Sequence, residues 1–136
     1  MVYLTRLVYF NAAHKLFNPA WENEKNNAVY GQCANTNWHG HNYDLYVTVK
    51  GETQADTGFL MEVKKLKKII REKVTDKLDH KTLNLDVDFL KEKICSTENV
   101  AAAIWDQLQP HLPSHVQLNC IKLCETPRFY VEYFGQ

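Results

Sequence analysis

The stretch Cys33-Ala-Asn-Thr-Asn-Trp-His39-Gly-His41-Asn-Tyr43 decides how the chain is interpreted, because it leads into a segment of alternating polarity. Alternation of this kind predicts a strand with one buried face. The apolar members are Tyr43, Leu45, Val47 and Val49. Side chains two residues apart on a strand share a face, so His39 and His41 are predicted to point to one place. Two histidines do not complete a catalytic zinc site, which usually takes three protein ligands.

A third histidine stands at the end of the first predicted strand. Residues 2–14 are rich in β-branched and aromatic side chains, which predicts a strand that ends at His14. If this strand forms a hairpin with the strand from His39 to Lys50, His14 arrives beside His39 and His41. Each histidine alone is better explained as a hydrogen-bonded strand residue. The three together favour a zinc ion with an open fourth position, which implies Lewis-acid chemistry on a bound oxygen.

The segment between these strands, residues 15–37, is predicted to be irregular, and long loops are often functional. It contains Cys33, for which three roles stay open. The thiol could be a fourth zinc ligand in a closed structural site, or an inert side chain. It could also be a base, because a nearby cation lowers the pKa of a thiol. Spacing alone does not decide between these roles.

The remaining segments predict two helices and two further strands. Residues 63–78 carry apolar side chains at helical spacing, which predicts an amphipathic helix over one face of a sheet. A second helix starts at Ser96 or Thr97, either of which can cap it, and stops before Pro110. The chain closes with two strands, Val116–Glu125 and Phe129–Phe134. The order β-β-α-α-β-β predicts an α+β domain, a four-stranded antiparallel sheet with two helices on one face.

Several polar residues could carry chemistry, although each of them alone is better explained as a structural residue. Asp79 and His80 adjoin at a predicted helix end, where an aspartate that orients a histidine makes an acid/base pair. Glu125 ends a strand, and its carboxylate can accept two parallel hydrogen bonds from an N–H/NH2 edge. Thr97 and Glu98 occupy capping positions, where an acidic residue suits the positive end of the helix dipole.

The composition indicates an ordinary globular protein, and the length predicts one domain over residues 1–136. Sixteen basic residues balance 16 acidic residues, so bulk charge gives no support for binding to nucleic acid or membrane. No apolar run is long enough to span a membrane, and the N-terminus lacks the pattern of a signal peptide. The four irregularly spaced cysteines predict free thiols. We therefore expect a cytoplasmic protein.

Five segments, taken together and in this order, make the chain similar to the 6-pyruvoyl-tetrahydropterin synthase / 6-carboxy-tetrahydropterin synthase family. They are Phe10-Asn-Ala-Ala-His14, Cys33 through Tyr43, Leu78-Asp-His-Lys81, Ser96-Thr-Glu-Asn-Val100 with Ile104-Trp105, and Glu125-Thr126. The resemblance covers nearly the whole chain. It implies the tunnelling fold, in which sheets from three subunits close a barrel. Two trimers then stack as a hexamer, with sites between subunits.

The resemblance also implies roles for single residues. The implied zinc (Zn2+) ligands are His14, His39 and His41. Cys33 corresponds to the catalytic base, and Asp79 with His80 corresponds to a second acid/base pair that a neighbouring subunit supplies. The implied substrate-binding residues are Glu125, which would hold the aminopyrimidine edge of the pterin, and Thr97 and Glu98, which would line the pocket around it.

The implied substrate is 7,8-dihydroneopterin triphosphate, from which a zinc-dependent lyase eliminates triphosphate to give 6-pyruvoyl-tetrahydropterin. A bacterial branch converts the same substrate to 6-carboxy-tetrahydropterin for queuosine synthesis. The five residues between Cys33 and His39 favour the pyruvoyl branch. A third, aldolase branch carries glutamate in place of the cysteine. A non-enzymatic zinc- or pterin-binding relative is the alternative of a different class. The basic residues nearest to these motifs are candidates for binding the triphosphate: Lys15, Lys81 and Arg128.

Overall fold

The computed structural model describes all 136 residues. Its elements, in chain order, are β1 Val2–His14, α1 Asn23–Tyr30, β2 His39–Gly51, α2 Val63–Ile70, α3 Asp76–Leu78, β3 Lys81–Thr82, α4 Leu83–Asp86, α5 Thr97–Leu108, β4 Gln117–Thr126 and β5 Phe129–Tyr133. A π-helical turn, Arg71–Thr75, joins α2 to α3 in one continuous helical segment. The four predicted strands and the two predicted helices are therefore present, close to their predicted boundaries.

The strands form one mixed sheet in the order β3-β1-β2-β4-β5. The three pairs among β1, β2, β4 and β5 are antiparallel, as predicted. The prediction of a four-stranded sheet was wrong at one edge, where a fifth strand is added. There the two-residue strand β3 pairs in parallel with Ala12 and Ala13 of β1. A strand of two residues has no hydrophobic period, so the sequence pattern could not predict it.

One face of the sheet is covered by helices and carries the core. Alternate residues of β2 are exposed by no more than 1% on this face: Tyr43, Leu45, Val47 and Val49. The helices contribute to the same hydrophobic cluster through Leu66, Ile70, Val100 and Ile104. Both predicted helices therefore lie on one face of the sheet, as expected. No helix has the length and apolar character needed to cross a membrane.

The prediction that residues 15–37 are irregular was wrong in part, because α1 and a short 3-10 helix, Gly31–Ala34, lie within them. The sequence of α1 is mostly polar and shows no apolar period. Asn26, which is fully buried, holds it instead. Its side chain accepts a hydrogen bond from the backbone N–H of Asn18 at 2.8 Å. The same carboxamide donates to three backbone carbonyls, at 3.1–3.3 Å, those of Asn18, Trp21 and Glu22.

We expect Asn26→Ala to loosen this segment without unfolding the sheet. Each lost bond costs on the order of 1 kcal/mol, so the free energy of local opening should fall by about 2 kcal/mol or more. Native-state hydrogen exchange at the Asn18 amide measures the change. Asn27→Ala is the matched control, because Asn27 is exposed and its side chain forms no hydrogen bond within the chain. Equal protection of the Asn18 amide in both variants would contradict the assignment.

Candidate metal centre and active site

The register of β1 and β2 brings three histidines together. His14 pairs with His39, and Ala12 pairs with His41, at the end of the core face of the sheet. The ring centroid of His14 lies 4.7 Å from that of His39 and 5.1 Å from that of His41. The ligand atoms of the three imidazoles and of the Glu125 carboxylate lie within 4.8 Å of one another. The sequence-based prediction that the three histidines converge is therefore observed.

The imidazole nitrogens that face one another have no hydrogen-bond partner. Nε2 is buried and unpaired in all three residues: His14, His39 and His41. Buried polar atoms in proteins are normally paired, so an unpaired set of three indicates a missing ligand. Nδ1 of His14 donates to the backbone carbonyl of Cys95 at 2.8 Å, which leaves the lone pair of Nε2 directed to the cluster. Three imidazole nitrogens and a carboxylate oxygen fit a divalent transition-metal ion.

Burial favours the neutral, metal-binding form of two of the imidazoles, those of His14 and His41. Burial lowers the pKa of His14 below its ordinary value, and the neighbouring His39 lowers it further, while the hydrogen bond to Cys95 opposes the shift. Burial also lowers the pKa of His41, against an opposing effect of Glu125. A metal ion binds the neutral imidazole, so these two residues are ready to act as ligands at neutral pH.

Glu125 lies inside the histidine cluster, which the sequence did not predict. Its Oε1 lies 2.7 Å from Nε2 of His41 and 3.4 Å from Nε2 of His14, although neither nitrogen makes a hydrogen bond. Its Oε2 accepts a hydrogen bond from the hydroxyl of Thr97 at 3.0 Å. Strand alternation explains the position, because Leu123, two residues earlier in β4, points to the same buried face. The carboxylate therefore has one oxygen facing the imidazoles and one fixed by α5.

The first turn of α5 separates the residues that the sequence grouped as caps. Ser96 is the N-cap, and its Oγ accepts a hydrogen bond from the backbone N–H of Asn99. Thr97 is 3% exposed and directs its hydroxyl to Glu125. Glu98 is exposed and is not among the converging ligand atoms. Of these three residues, Thr97 is the one that contacts the histidine cluster, through Glu125.

The sulfur of Cys33 is not one of the converging ligand atoms of the cluster. It is a half-buried free thiol in the 3-10 helix Gly31–Ala34. Its backbone carbonyl accepts a hydrogen bond from the N–H of Leu16 at 2.8 Å, which holds the thiol segment against the residues that follow His14. This geometry does not support the role of a fourth metal ligand. The roles of base and of inert side chain are left.

Asp79 and His80 form an ion pair at the edge of the sheet, with Oδ2 of Asp79 3.0 Å from Nδ1 of His80. The backbone of Asn11 holds both residues, donating to Oδ1 of Asp79 and accepting from the N–H of His80. The Asn11 hydrogen bond is the main cause that lowers the pKa of Asp79. His80 has a φ of 60°, a left-handed conformation that costs energy in a non-glycine residue. Its side chain is 83% exposed, and the pair lies outside the histidine cluster of its own chain.

Two further residues border the cluster, and sequence analysis assigned neither of them to the site. Tyr43 is 1% exposed, its ring centroid lies 5.7 Å from that of His41, and its hydroxyl has no partner. Burial raises the pKa of Tyr43, so its hydroxyl stays protonated and able to donate. Burial also raises the pKa of the Cys95 thiol to about 11, so Cys95 contributes its backbone carbonyl rather than a thiolate. The only sequence signal for Tyr43 was its place on the same strand face as the histidines.

A family profile described as 6-pyruvoyl tetrahydropterin synthase matches residues 3–136. The chain belongs to this family. It is 44% identical to the 6-pyruvoyl tetrahydrobiopterin synthase of Dictyostelium discoideum, over 99% of this chain and 97% of that protein. It is 41% identical to that of Homo sapiens, over 98% of this chain and 91% of that protein. The structure of Caenorhabditis elegans 6-pyruvoyl tetrahydropterin synthase matches with a TM-score of 0.93 at 34% identity, over 99% of this chain and 96% of that one. The resemblance inferred from the motifs and the α+β fold class are both confirmed.

Proposed function

We propose that the chain is a zinc-dependent 6-pyruvoyl-tetrahydropterin synthase, a carbon–oxygen lyase that eliminates triphosphate from 7,8-dihydroneopterin triphosphate. The observation that carries the proposal is the set of three unpaired Nε2 atoms at the junction of β1 and β2. This set occurs in a chain that is 41–44% identical to pyruvoyl synthases over nearly its whole length. That identity favours the pyruvoyl product over the 6-carboxy product and an enzyme over a non-enzymatic relative.

The three histidines, His14, His39 and His41, would hold the zinc ion through Nε2. Three imidazole nitrogens with one open position are a common ligand set for catalytic zinc. Zinc bound there would supply Lewis-acid polarisation of the hydroxyl oxygens on the substrate side chain. The carbonyl of Cys95 fixes the orientation and the tautomer of His14, as expected for a residue that supports a metal ligand.

Cys33 and the pair of Asp79 and His80 are proposed to move the protons. Cys33 takes a proton from the substrate side chain, and His80 transfers a second one while Asp79 orients it. Asp79 accepts a hydrogen bond from the Asn11 backbone and is paired with His80, so its carboxylate is fixed for this task. Because the pair lies at the sheet edge, we propose that it serves the site of a neighbouring subunit.

A tunnelling-fold hexamer, built from two stacked trimers, is part of the proposal. The outer edge of β5 has no partner strand, and β1 is covered by β3 only at Ala12 and Ala13. Open strand edges pair readily with other strands, so these two edges support a barrel closed between subunits. Large aromatic residues are exposed on the same strands: Tyr3, Tyr9, Phe129 and Tyr130. All four cysteines are free thiols, which supports the expected cytoplasmic location.

Glu125 is proposed to bind the aminopyrimidine edge of the pterin, next to Thr97 in the pocket. We expect Glu125→Gln to raise KM by about tenfold or more, because a carboxylate that accepts two hydrogen bonds is lost, with the zinc content unchanged. Steady-state kinetics and metal analysis measure the two effects. The control is Glu132→Gln, because Glu132 is an exposed carboxylate on β5. A fall in zinc affinity with KM preserved would instead make Glu125 a fourth metal ligand.

The decisive experiment identifies the product. Purified zinc-loaded protein is incubated with 7,8-dihydroneopterin triphosphate, released triphosphate is measured, and the pterin is identified by mass. We expect release of triphosphate together with 6-pyruvoyl-tetrahydropterin. A pterin with the mass of 6-carboxy-tetrahydropterin would assign the chain to the other branch. Bound zinc without any release of triphosphate would leave the non-enzymatic reading.

A further inference from the structure

A polar cavity of about 400 Å³ lies at the end of β1 that carries His14, and the chemistry proposed above does not use it. Its walls include Lys15, Phe17, Asn23, Asn27, Asn35 and Thr36. Two wall residues are covalent neighbours of the proposed site, since Lys15 follows His14 and Ala34 follows Cys33. Adjacent Cα atoms are about 3.8 Å apart, so the backbone of the cavity wall is continuous with that of the ligand His14 and of Cys33.

The polar groups on the cavity wall are suited to an anion. No carboxylate lines the cavity, and Lys15 is the one charged residue there. The exposed side-chain amides of Asn23, Asn27 and Asn35 take part in no hydrogen bond within the chain, so their NH2 groups are free to donate. Asn26, also on the wall, is fully engaged with the backbone and forms the rigid part of it. Glu24 lies in the first turn of α1 but not on the wall.

The ammonium group of Lys15 is held in place at the cavity. Its Nζ lies 4.9 Å from the ring centroid of Trp38 and 5.2 Å from that of Phe17, within the range of cation–π interactions. The carboxamide of Asn84 accepts from the backbone N–H of Lys15 and donates to its carbonyl, at 3.1 and 3.0 Å. Lys15 has no acidic partner among the ion pairs of the chain. A fixed cation without a counter-charge is prepared for a ligand anion.

We propose that this cavity binds the polyphosphate tail of the substrate, with Lys15 as the cationic ligand and the free asparagine amides as additional donors. The inference rests on the proposed function. In that function the side-chain hydroxyls of the substrate face the histidine cluster, and the triphosphate is attached a few bonds further along the same side chain. Lysine ammonium binds phosphate oxygens through charge-assisted hydrogen bonds, which are stronger than neutral ones.

Inorganic tripolyphosphate is the probe, used with the zinc-loaded protein in isothermal titration calorimetry. The variants are Lys15→Gln and Lys15→Arg, with Lys25→Gln as the matched control. Lys25 also lies over an aromatic ring, with Nζ 4.2 Å from the centroid of Trp21, but it does not line the cavity. Metal analysis after each titration excludes removal of zinc by the probe. Binding of neopterin, which carries no phosphate, is measured in parallel.

Lys15→Gln should weaken tripolyphosphate binding by about tenfold to 100-fold, the worth of one hydrogen bond to a charged group, and leave neopterin binding unchanged. Lys15→Arg should retain most of the affinity because the charge is kept, and Lys25→Gln should match the parent protein. In steady-state assays Lys15→Gln should raise KM with little change in kcat, the pattern of an interaction made equally in ground and transition states.

The proposal is overturned if the parent protein does not bind tripolyphosphate, or if Lys15→Gln binds it as tightly as Lys25→Gln does. Failure of the two proposals can be told apart. Normal release of triphosphate with an unchanged KM in Lys15→Gln leaves the lyase standing and removes the polyphosphate cavity. If the parent protein does not turn over the pterin substrate, but Lys15→Gln alone loses tripolyphosphate binding, the anion-binding cavity stands and the lyase is wrong.

Discussion

Cys33→Ala should lower the rate of triphosphate release by about 100- to 10,000-fold, the contribution typical of a general base, and leave the zinc content intact. The reason lies in the geometry of the cluster. Cys33 is not among the ligand atoms that converge with the three histidines, so removing its sulfur should not open the metal site. Its backbone bond to Leu16 does not depend on the side chain, so the loop should stay in place. Triphosphate release and metal analysis on the same preparation measure both effects.

Cys124→Ala is the control for this prediction. Cys124 is also a half-buried free thiol, but it pairs with Asp44 and Tyr130 and alternates with Glu125 along β4. Its side chain therefore lies on the face of the sheet opposite the histidine cluster. Turnover of Cys124→Ala should equal that of the parent protein. If Cys33→Ala loses zinc together with activity, the thiol is a metal ligand and the role of base is wrong.

His39→Ala should lose both the metal and the activity. Altering residues that merely support metal ligands costs about 10–100-fold in metal affinity, so loss of a ligand itself should cost at least about 100-fold. His39 is preferred to His14 for this test because His14 is buried and bonded to Cys95, so its removal also damages the core. Competition with a chelator measures the affinity, and triphosphate release measures the activity. Full retention of zinc in His39→Ala would exclude the three-histidine site.

His80→Ala is the contrasting variant, expected to lose activity by about 100-fold or more while retaining zinc. Its exposed side chain lies outside the cluster, so the fold and the metal should be unaffected. Mixing His80→Ala with Cys33→Ala subunits, after dissociation and reassembly, should restore part of the activity. Restoration is expected because one variant then supplies the thiol and the other supplies the imidazole at a shared site. No recovery in reassembled mixtures would place both groups in the site of one chain.

The parts of the fold that follow a regular hydrophobic period could be predicted from the sequence. The alternation from Tyr43 to Val49 and the helical spacing in residues 63–78 both report which face is buried, and burial is what the structure shows. The pairing of His14 with His39 followed from the same reasoning, because consecutive antiparallel strands bring the end of one beside the start of the next. These predictions needed only local pattern and strand connectivity.

Features held by single polar side chains could not be predicted in this way. Helix α1 depends on the buried carboxamide of Asn26, and a polar sequence carries no period that would reveal it. The position of Glu125 among the histidines depends on the register between β2 and β4, which includes an irregularity at Thr48 and Val49. The left-handed conformation of His80 occurs where the backbone of Asn11, distant in sequence, donates to the Asp79 carboxylate and accepts from the His80 N–H. Each of these is a tertiary interaction without a local signature.

The alignment of His14 with His39 also bears on how the protein reaches its native state. Side-chain direction alternates along a strand, so a slip of one residue between β1 and β2 would turn His39 and His41 to the opposite face from His14. A metal ion can therefore bind three histidines only in the correctly aligned chain. An ion present at 100 times its Kd would stabilise that alignment alone by about 2.7 kcal/mol. Metal binding during synthesis would then favour the native strand register over slipped registers, before the site binds any substrate.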